Sequence, residues 1–284
     1  MDRAKKILDT KSSDEINLKN QDVSSLLLAV EEQCNEFKYD KAYKILRELE
    51  PIIQKTTDTE DVYKYHLLSG ICEYEKHEFT LAIEHFFNCL QVIDNYSSDN
   101  KIIIRKTVPL HELSLCYFGR FQQTKQANGL QLSIDYCQQA LNEGIDCAMV
   151  KKRTGFMEYA IETPENYLSE LVHLATLYQE KGDFYKSNAI LEVAMICCKR
   201  HYKWRTLGVV YDELGSNNRC TGKFGRALYF YGKALHVKSF IGNEIGLDVT
   251  NNNIFKCFMK IKSEKPELLN SPTQFQHILE EESL

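Results

Sequence analysis

Apolar positions recur along this chain at helical spacing, and they come in paired stretches rather than in one continuous run. Four segments show the pairing, starting from the small or short side chains Val30, Gly70, Ala175 and Gly215. Nine residues after each stands an aromatic: Tyr39, Phe79, Phe184 and Phe224. Twelve residues after each comes Ala42, Ala82, Ser187 or Ala227; sixteen after, Leu46, Phe86, Leu191 or Tyr231; nineteen after, Leu49, Cys89, Ala194 or Ala234. Such agreement predicts a repeated unit of two amphipathic helices joined by a tight turn, with 40 residues from one copy to the next (30 to 70, 175 to 215).

Gly182 and Gly222 fall at the predicted turns, where a residue without Cβ strain is useful. The small residues let the facing helix axes approach at the short end of a roughly 8–10 Å range. The aromatic that opens the second helix is expected to close the wedge between them. GDFYKSNAILEVA (182–194) and GKFGRALYFYGKA (222–234) show the pattern most clearly. A middle copy is stretched: PLHELSLCYF (109–118) and LQLSIDYCQQAL (130–141) put Ser114 and Ser133 in the small positions and leave extra residues in RFQQTKQANG. A sixth first helix is expected in GLDVTNNNIFKCFMK (246–260), its partner broken by Pro266 and Pro272. Pro51 is read as ending a helix, Pro109 and Pro164 as opening helices. KKRTGFMEYAIETPEN (151–166) reads as an irregular insertion, either a binding-face loop or a tolerated surface loop.

The organisation so predicted is a polar N-terminal segment (1–22), a repeat domain (23–262) and a C-terminal cap (263–284). Within the domain the repeats fall near 23–60, 61–100, 107–150, 167–205 and 206–245, with a partial copy at 246–262.

LATLY (174–178), SG (69–70), LG (214–215), AIEHF (82–86) and ALYFY (227–231) resemble the tetratricopeptide repeat (TPR) family, whose signature is Leu-Gly-x2-Tyr followed by Ala-x3-Phe. The resemblance implies an all-α fold, a right-handed superhelix (α-solenoid) of about five to six TPR-like helical hairpins. The long repeat and SFIGNEIGLDVTNNNIF (239–255) look like Pins-type spindle adaptors, kinesin light chains and rapsyn-like scaffolds, although Asn243 replaces the Asp of their Ile-Gly-Asp turn. The family works chiefly in protein–protein adaptors, so the resemblance implies a partner peptide or helix held in a concave groove. Its chaperone-tail binders clamp a carboxylate with Lys and Asn. The matching positions read Leu27 and Glu31, Leu67 and Ile71, Val172 and Thr176, Asp212 and Ser216, so that clamp is absent.

Composition narrows the rest. Gly and Pro number only 13 and 5, which favours helices. No apolar run reaches the roughly 20 residues of a membrane span, and the charged N-terminus does not read as a signal peptide. A net charge of -5 disfavours nucleic acid as the partner. Ten scattered cysteines without a CxxC fit free thiols in a cytoplasmic protein. No phosphate-loop, nucleophile-elbow or zincin string occurs, so no catalytic residue, metal or cofactor is assigned. The adjacent Cys197 and Cys198 would bind one metal poorly and read as two thiols on a helix face, and His77 and His85, which flank the second hairpin, are a minor candidate for a paired metal site.

Helical periodicity from the small residue selects inward offsets of -6, -3, -2, +1, +4 and +5 on each first helix. In the early repeat these give an apolar anchor of Leu67, Leu68, Ile71 and Tyr74. Later repeats give a polar set: His173, Thr176 and Gln179; Asp212, Glu213, Ser216 and Arg219; Asn252, Asn253 and Lys256. The two asparagines could hydrogen-bond a partner's backbone, and the charged residues could select its charge pattern. The expected function is a non-catalytic adaptor; the alternative is a structural subunit of a cytoskeletal or ciliary assembly.

Overall fold

The computed structural model describes residues 22–95, 106–153 and 164–270, which are helix and tight turn with no strand among them. The helices are α1 (Val23–Asn35), α2 (Tyr39–Ile53), α3 (Thr59–Glu75), α4 (Phe79–Asn95), α5 (Thr107–Thr124), α6 (Ala127–Arg153), α7 (Pro164–Glu180), α8 (Phe184–Arg200), α9 (Trp204–Cys220), α10 (Phe224–Phe240), α11 (Glu244–Glu264) and α12 (Pro266–Asn270). Successive pairs form five full hairpins, and α11 is followed by the five-residue α12. The chain divides into two compact units between Ala140 and Leu141, inside α6. No helix among the described residues is long and apolar enough to cross a membrane.

Within each unit a hairpin is too thin to bury its own apolar face and closes it against a neighbour. In the first unit Leu27, Val30, Leu46 and Leu49 of the opening hairpin share one cluster with Tyr65 and Leu68 of α3. Phe86 of α4 shares another with Leu113 and Cys116 of α5. The second unit repeats the scheme, with Phe224 and Tyr231 of α10 packed on Cys257 and Ile261 of α11.

The aromatics divide this labour differently from the sequence expectation. A Cβ on Gly70 would stand 2.6 Å from the Phe86 ring, and one on Gly215 would stand 2.5 Å from Tyr231. The ring sixteen residues on therefore fills the wedge within a hairpin. Phe79, nine residues on, covers Gly119 of the following first helix, and Phe224 packs on α11 likewise. That aromatic joins neighbouring hairpins instead of closing its own.

The stretched middle copy holds together through a reciprocal pair. Ser114 Oγ donates to the Ser133 carbonyl at 2.8 Å, and Ser133 Oγ donates to the Ser114 carbonyl at 2.7 Å. The extra residues lengthen the helices, α5 running to Thr124 and α6 starting at Ala127. Only Lys125, in the left-handed region at φ 57°, and Gln126 turn the corner. Of the 151–166 insertion, 151–153 finish α6, Pro164 opens α7, and 154–163 lie outside the described residues. Pro51 does not end its helix, since α2 continues to Ile53.

Left-handed residues recur with the repeat: Phe37 and His77 (φ 58° and 62°), Gly182 and Gly222 (80° and 76°), Tyr202 and Gly242 (55° and 66°). A helix leaves its last carbonyls unpaired, and a single left-handed residue lets the following amides reach back to them. Lys203 N–H, for example, donates to the Cys198 carbonyl at 2.9 Å.

Candidate functional site

In the second unit the first helices α7, α9 and α11 run side by side, so a given offset marks a row across all three. Offsets -2 and +1 carry His173 and Thr176, Glu213 and Ser216, then Asn253 and Lys256. All are half-exposed except Lys256, which is exposed. Beside them offset -6 exposes Val209 and Val249. This polar row with an apolar margin is the accessible crest of the first-helix face.

Offsets -3 and +4 point elsewhere, into the seams between helices. Asp212 is only 4% exposed, and Oδ2 takes the ammonium of Lys238 from the last turn of α10. That ammonium also reaches Thr250 Oγ1 at 2.9 Å and the Gly246 carbonyl at 3.0 Å, so it ties α9, α10 and α11. Asp212 is consequently a packing residue and cannot select a partner's charge. Gln179 bridges α7 to α9, its amide donating to Glu213 Oε2 at 2.9 Å. Burial pushes the Glu213 carboxyl above the usual carboxylate range, and the Gln179 bond opposes that shift. Arg219 Nε donates to the Tyr231 hydroxyl at 3.3 Å, turning that residue toward α10. Asn252 of α11 is exposed.

The apolar anchor expected in the first unit is largely spent on folding. Leu68 is 6% exposed within the opening core cluster. Leu67, Ile71 and Tyr74 are half-buried against the cluster that joins α4 to α5. The sequence contrast between an apolar and a polar end therefore reflects two kinds of seam.

Other features escaped the sequence reading. His85 pairs with His66 on α3, Nδ1 to Nδ1 at 3.0 Å, while His77 sits in the turn against Phe79. The centroids lie 5.3 Å apart, about the sum of that distance and two ring radii, so the nitrogens meet head-on around one shared proton and do not converge on a third point. No cluster of three or more His, Cys, Asp or Glu side chains able to hold a metal occurs among the described residues. Asn217, fully buried, donates to Ser187 Oγ and Asn188 Oδ1 of α8, both at 2.8 Å. KRHYKWR (199–205) forms the α8–α9 turn and is mostly exposed. Its run of cations was legible in the sequence but was averaged away in the net charge.

Hairpins that bury their faces only on neighbours define a helical-repeat protein of the α-solenoid class. No family model matches the sequence, and no curated protein matches it. Solved structures do. The chain superposes on BtubC from P. vanneervenii with a TM-score of 0.59 at 15% identity, over 78% of this chain and 81% of that one. It superposes on TPR-like repeats of a kinesin light chain from Podosopora anserina with a TM-score of 0.59 at 12% identity, over 78% and 97%. The apo form of RapI gives 0.57 at 11% identity, over 92% and 91%. The fold is that of TPR-like repeats.

Proposed function

We propose that the protein is a non-catalytic adaptor whose second unit binds an extended or helical protein segment across α7, α9 and α11. The observation that carries the reading is the row His173–Thr176, Glu213–Ser216, Asn253–Lys256, accessible side chains repeated at one pair of offsets on three successive helices. Hydroxyl and amide groups spaced this way can hydrogen-bond a partner's backbone, and Val209 and Val249 offer apolar contact beside them. Solved relatives of the same fold include TPR-like repeat proteins, which fits an interaction role.

A photo-crosslinking amino acid at Ser216 or Lys256 should capture a partner that one at Ile196, exposed on α8, does not. Capture should fall in an Asn253→Ala, Lys256→Glu variant. Equal capture from Ile196, or none from the row, defeats the reading.

The structural-subunit alternative draws on α11, where Phe255 and Met259 are 62% and 50% exposed. A subunit with such a face should self-associate when isolated, and Phe255→Ser with Met259→Ser should relieve that.

A further inference from the structure

The turn between α8 and α9 reads Lys199, Arg200, His201, Tyr202, Lys203, Trp204, Arg205, with no carboxylate among the seven residues, in a chain of net charge -5. Lys199, Arg200 and Arg205 are exposed. The next turn on the same end of the unit, between α10 and α11, lies alongside it. Lys238 fixes that neighbourhood, since its stem would touch a Cβ on Gly208 at 3.0 Å and its ammonium meets the Gly246 carbonyl at 3.0 Å. This second turn projects Phe240 and Ile245, 77% and 81% exposed. The only carboxylates within residues 239–248 are Glu244 and Asp248, so the exposed Lys199, Arg200 and Arg205 outnumber the acids across the two turns.

Tyr202 adds an independent observation. It holds φ at 55°, where Gly182, Gly222 and Gly242 occupy the equivalent turns of this unit. A left-handed backbone disfavours any residue with a Cβ, and a tyrosine there is 73% exposed, making no core contact that would offset the strain. Among the described residues its ring meets the edge of Trp204, at 6.1 Å between centroids.

From these turns we infer that this end of the second unit docks on an anionic membrane surface. Apolar tips project from turns flanked by cations, a convex arrangement. A peptide needs walls around it, and a nucleic acid would use the aromatic faces but leave the aliphatic Ile245 in water. A lipid interface accepts both groups at once: aliphatic and aromatic tips enter the headgroup–acyl boundary, and Lys and Arg stay with the phosphates. Docking uses turns and leaves the first-helix row free, so it stands or falls separately from the adaptor reading.

Trp204 is the single tryptophan of the chain and reports directly. With phosphatidylserine-containing vesicles at low salt, the full chain should co-sediment and its emission should shift to the blue. Pure phosphatidylcholine vesicles should give neither, and salt should reverse the binding. Lys199→Glu with Arg200→Glu should weaken vesicle partitioning at least about tenfold. Phe240→Ser with Ile245→Ser should also weaken it, with helical circular dichroism unchanged in both variants. The proposal is overturned if the wild type ignores anionic vesicles or if the charge-reversed variant partitions like it. Tighter binding to a single-stranded oligonucleotide or to polyglutamate would instead assign the surface to nucleic acid or acidic protein, and would equally overturn it.

Discussion

Lys238 and Asp212 form a buried ion pair, 2% and 6% exposed in their side chains, that joins the last turn of α10 to the middle of α9. Asp212 Oδ1 accepts no hydrogen bond, so the pair is held by one carboxylate oxygen, with Thr250 donating to that same oxygen at 3.1 Å. Removing one charge leaves the other stranded in the interior. Lys238→Met should therefore cost about 3–5 kcal/mol in denaturant unfolding, and Asp212→Leu with Lys238→Met should recover much of that loss. Additive losses in the double mutant would show that the pair is not coupled.

Left-handed turns set up an opposed pair of substitutions. Gly182 has open space around its Cβ position, so Gly182→Ala tests backbone strain alone and should cost about 1–2 kcal/mol. Tyr202→Gly, at φ 55°, removes the same strain and should leave stability unchanged or higher. Thermal melting that ranks the two variants the other way would contradict the turn assignment.

Close helix crossings predict intolerance to volume. Ala227 has no exposed surface and packs in the cluster that α10 shares with α11. Ala227→Leu should cost about 1–3 kcal/mol through overpacking. An unchanged melting point would mean the repeat register is misplaced.

The head-on histidines predict a fall in stability on acidification. Burial holds His66 down to about 4 from an ordinary 6.5, with the neighbouring His85 adding to the effect, and burial lowers His85 as well. Unfolded histidines take up protons below about pH 6.5, whereas folded His66 resists until near 4 and folded His85 is shifted the same way, so stability is full above that window and declines within it. The loss should be on the order of 1–2 kcal/mol, since solvent screens these half-buried rings. His66→Phe with His85→Leu should flatten the decline between pH 6.5 and 4. An equally steep profile in that variant would place the acid sensitivity elsewhere.

Thiol reactivity should split along burial. Cys220 is exposed and should be alkylated in the native protein, with the half-buried Cys197 following more slowly. Burial pushes Cys89 and Cys116 up to about 12, so their thiolates are scarce at neutral pH and labelling should await unfolding. Peptide mapping after a short pulse of iodoacetamide distinguishes the classes.

The hairpins were legible because burial against a neighbour imposes a period on small and aromatic residues alike. Val30, Gly70, Ala175 and Gly215 stand at matching places on α1, α3, α7 and α9. The candidate site was less legible for a related reason. Periodicity locates a face to within about a third of a turn, and the seam between adjacent first helices begins within that margin. Asp212 and Ser216 both belong to the face on a helical wheel, but one is sealed beneath Lys238 and the other reaches the surface. Non-local partners also left no local trace: nothing near Lys238 in the sequence names Asp212, which is 26 residues away.

Phe255 sets α11 apart from the other first helices. At the matching position Gly70 and Gly215 admit an aromatic ring from the second helix at contact distance, whereas α11 presents a phenylalanine that is 62% exposed. Solenoids lengthen by copying a unit that docks on its predecessor in the same way. A duplicated hairpin could be inserted before α11 and find its footing, but a full-length partner laid on α11 would collide with that ring. The seat that Phe86 and Tyr231 find on Gly70 and Gly215 is therefore closed on α11.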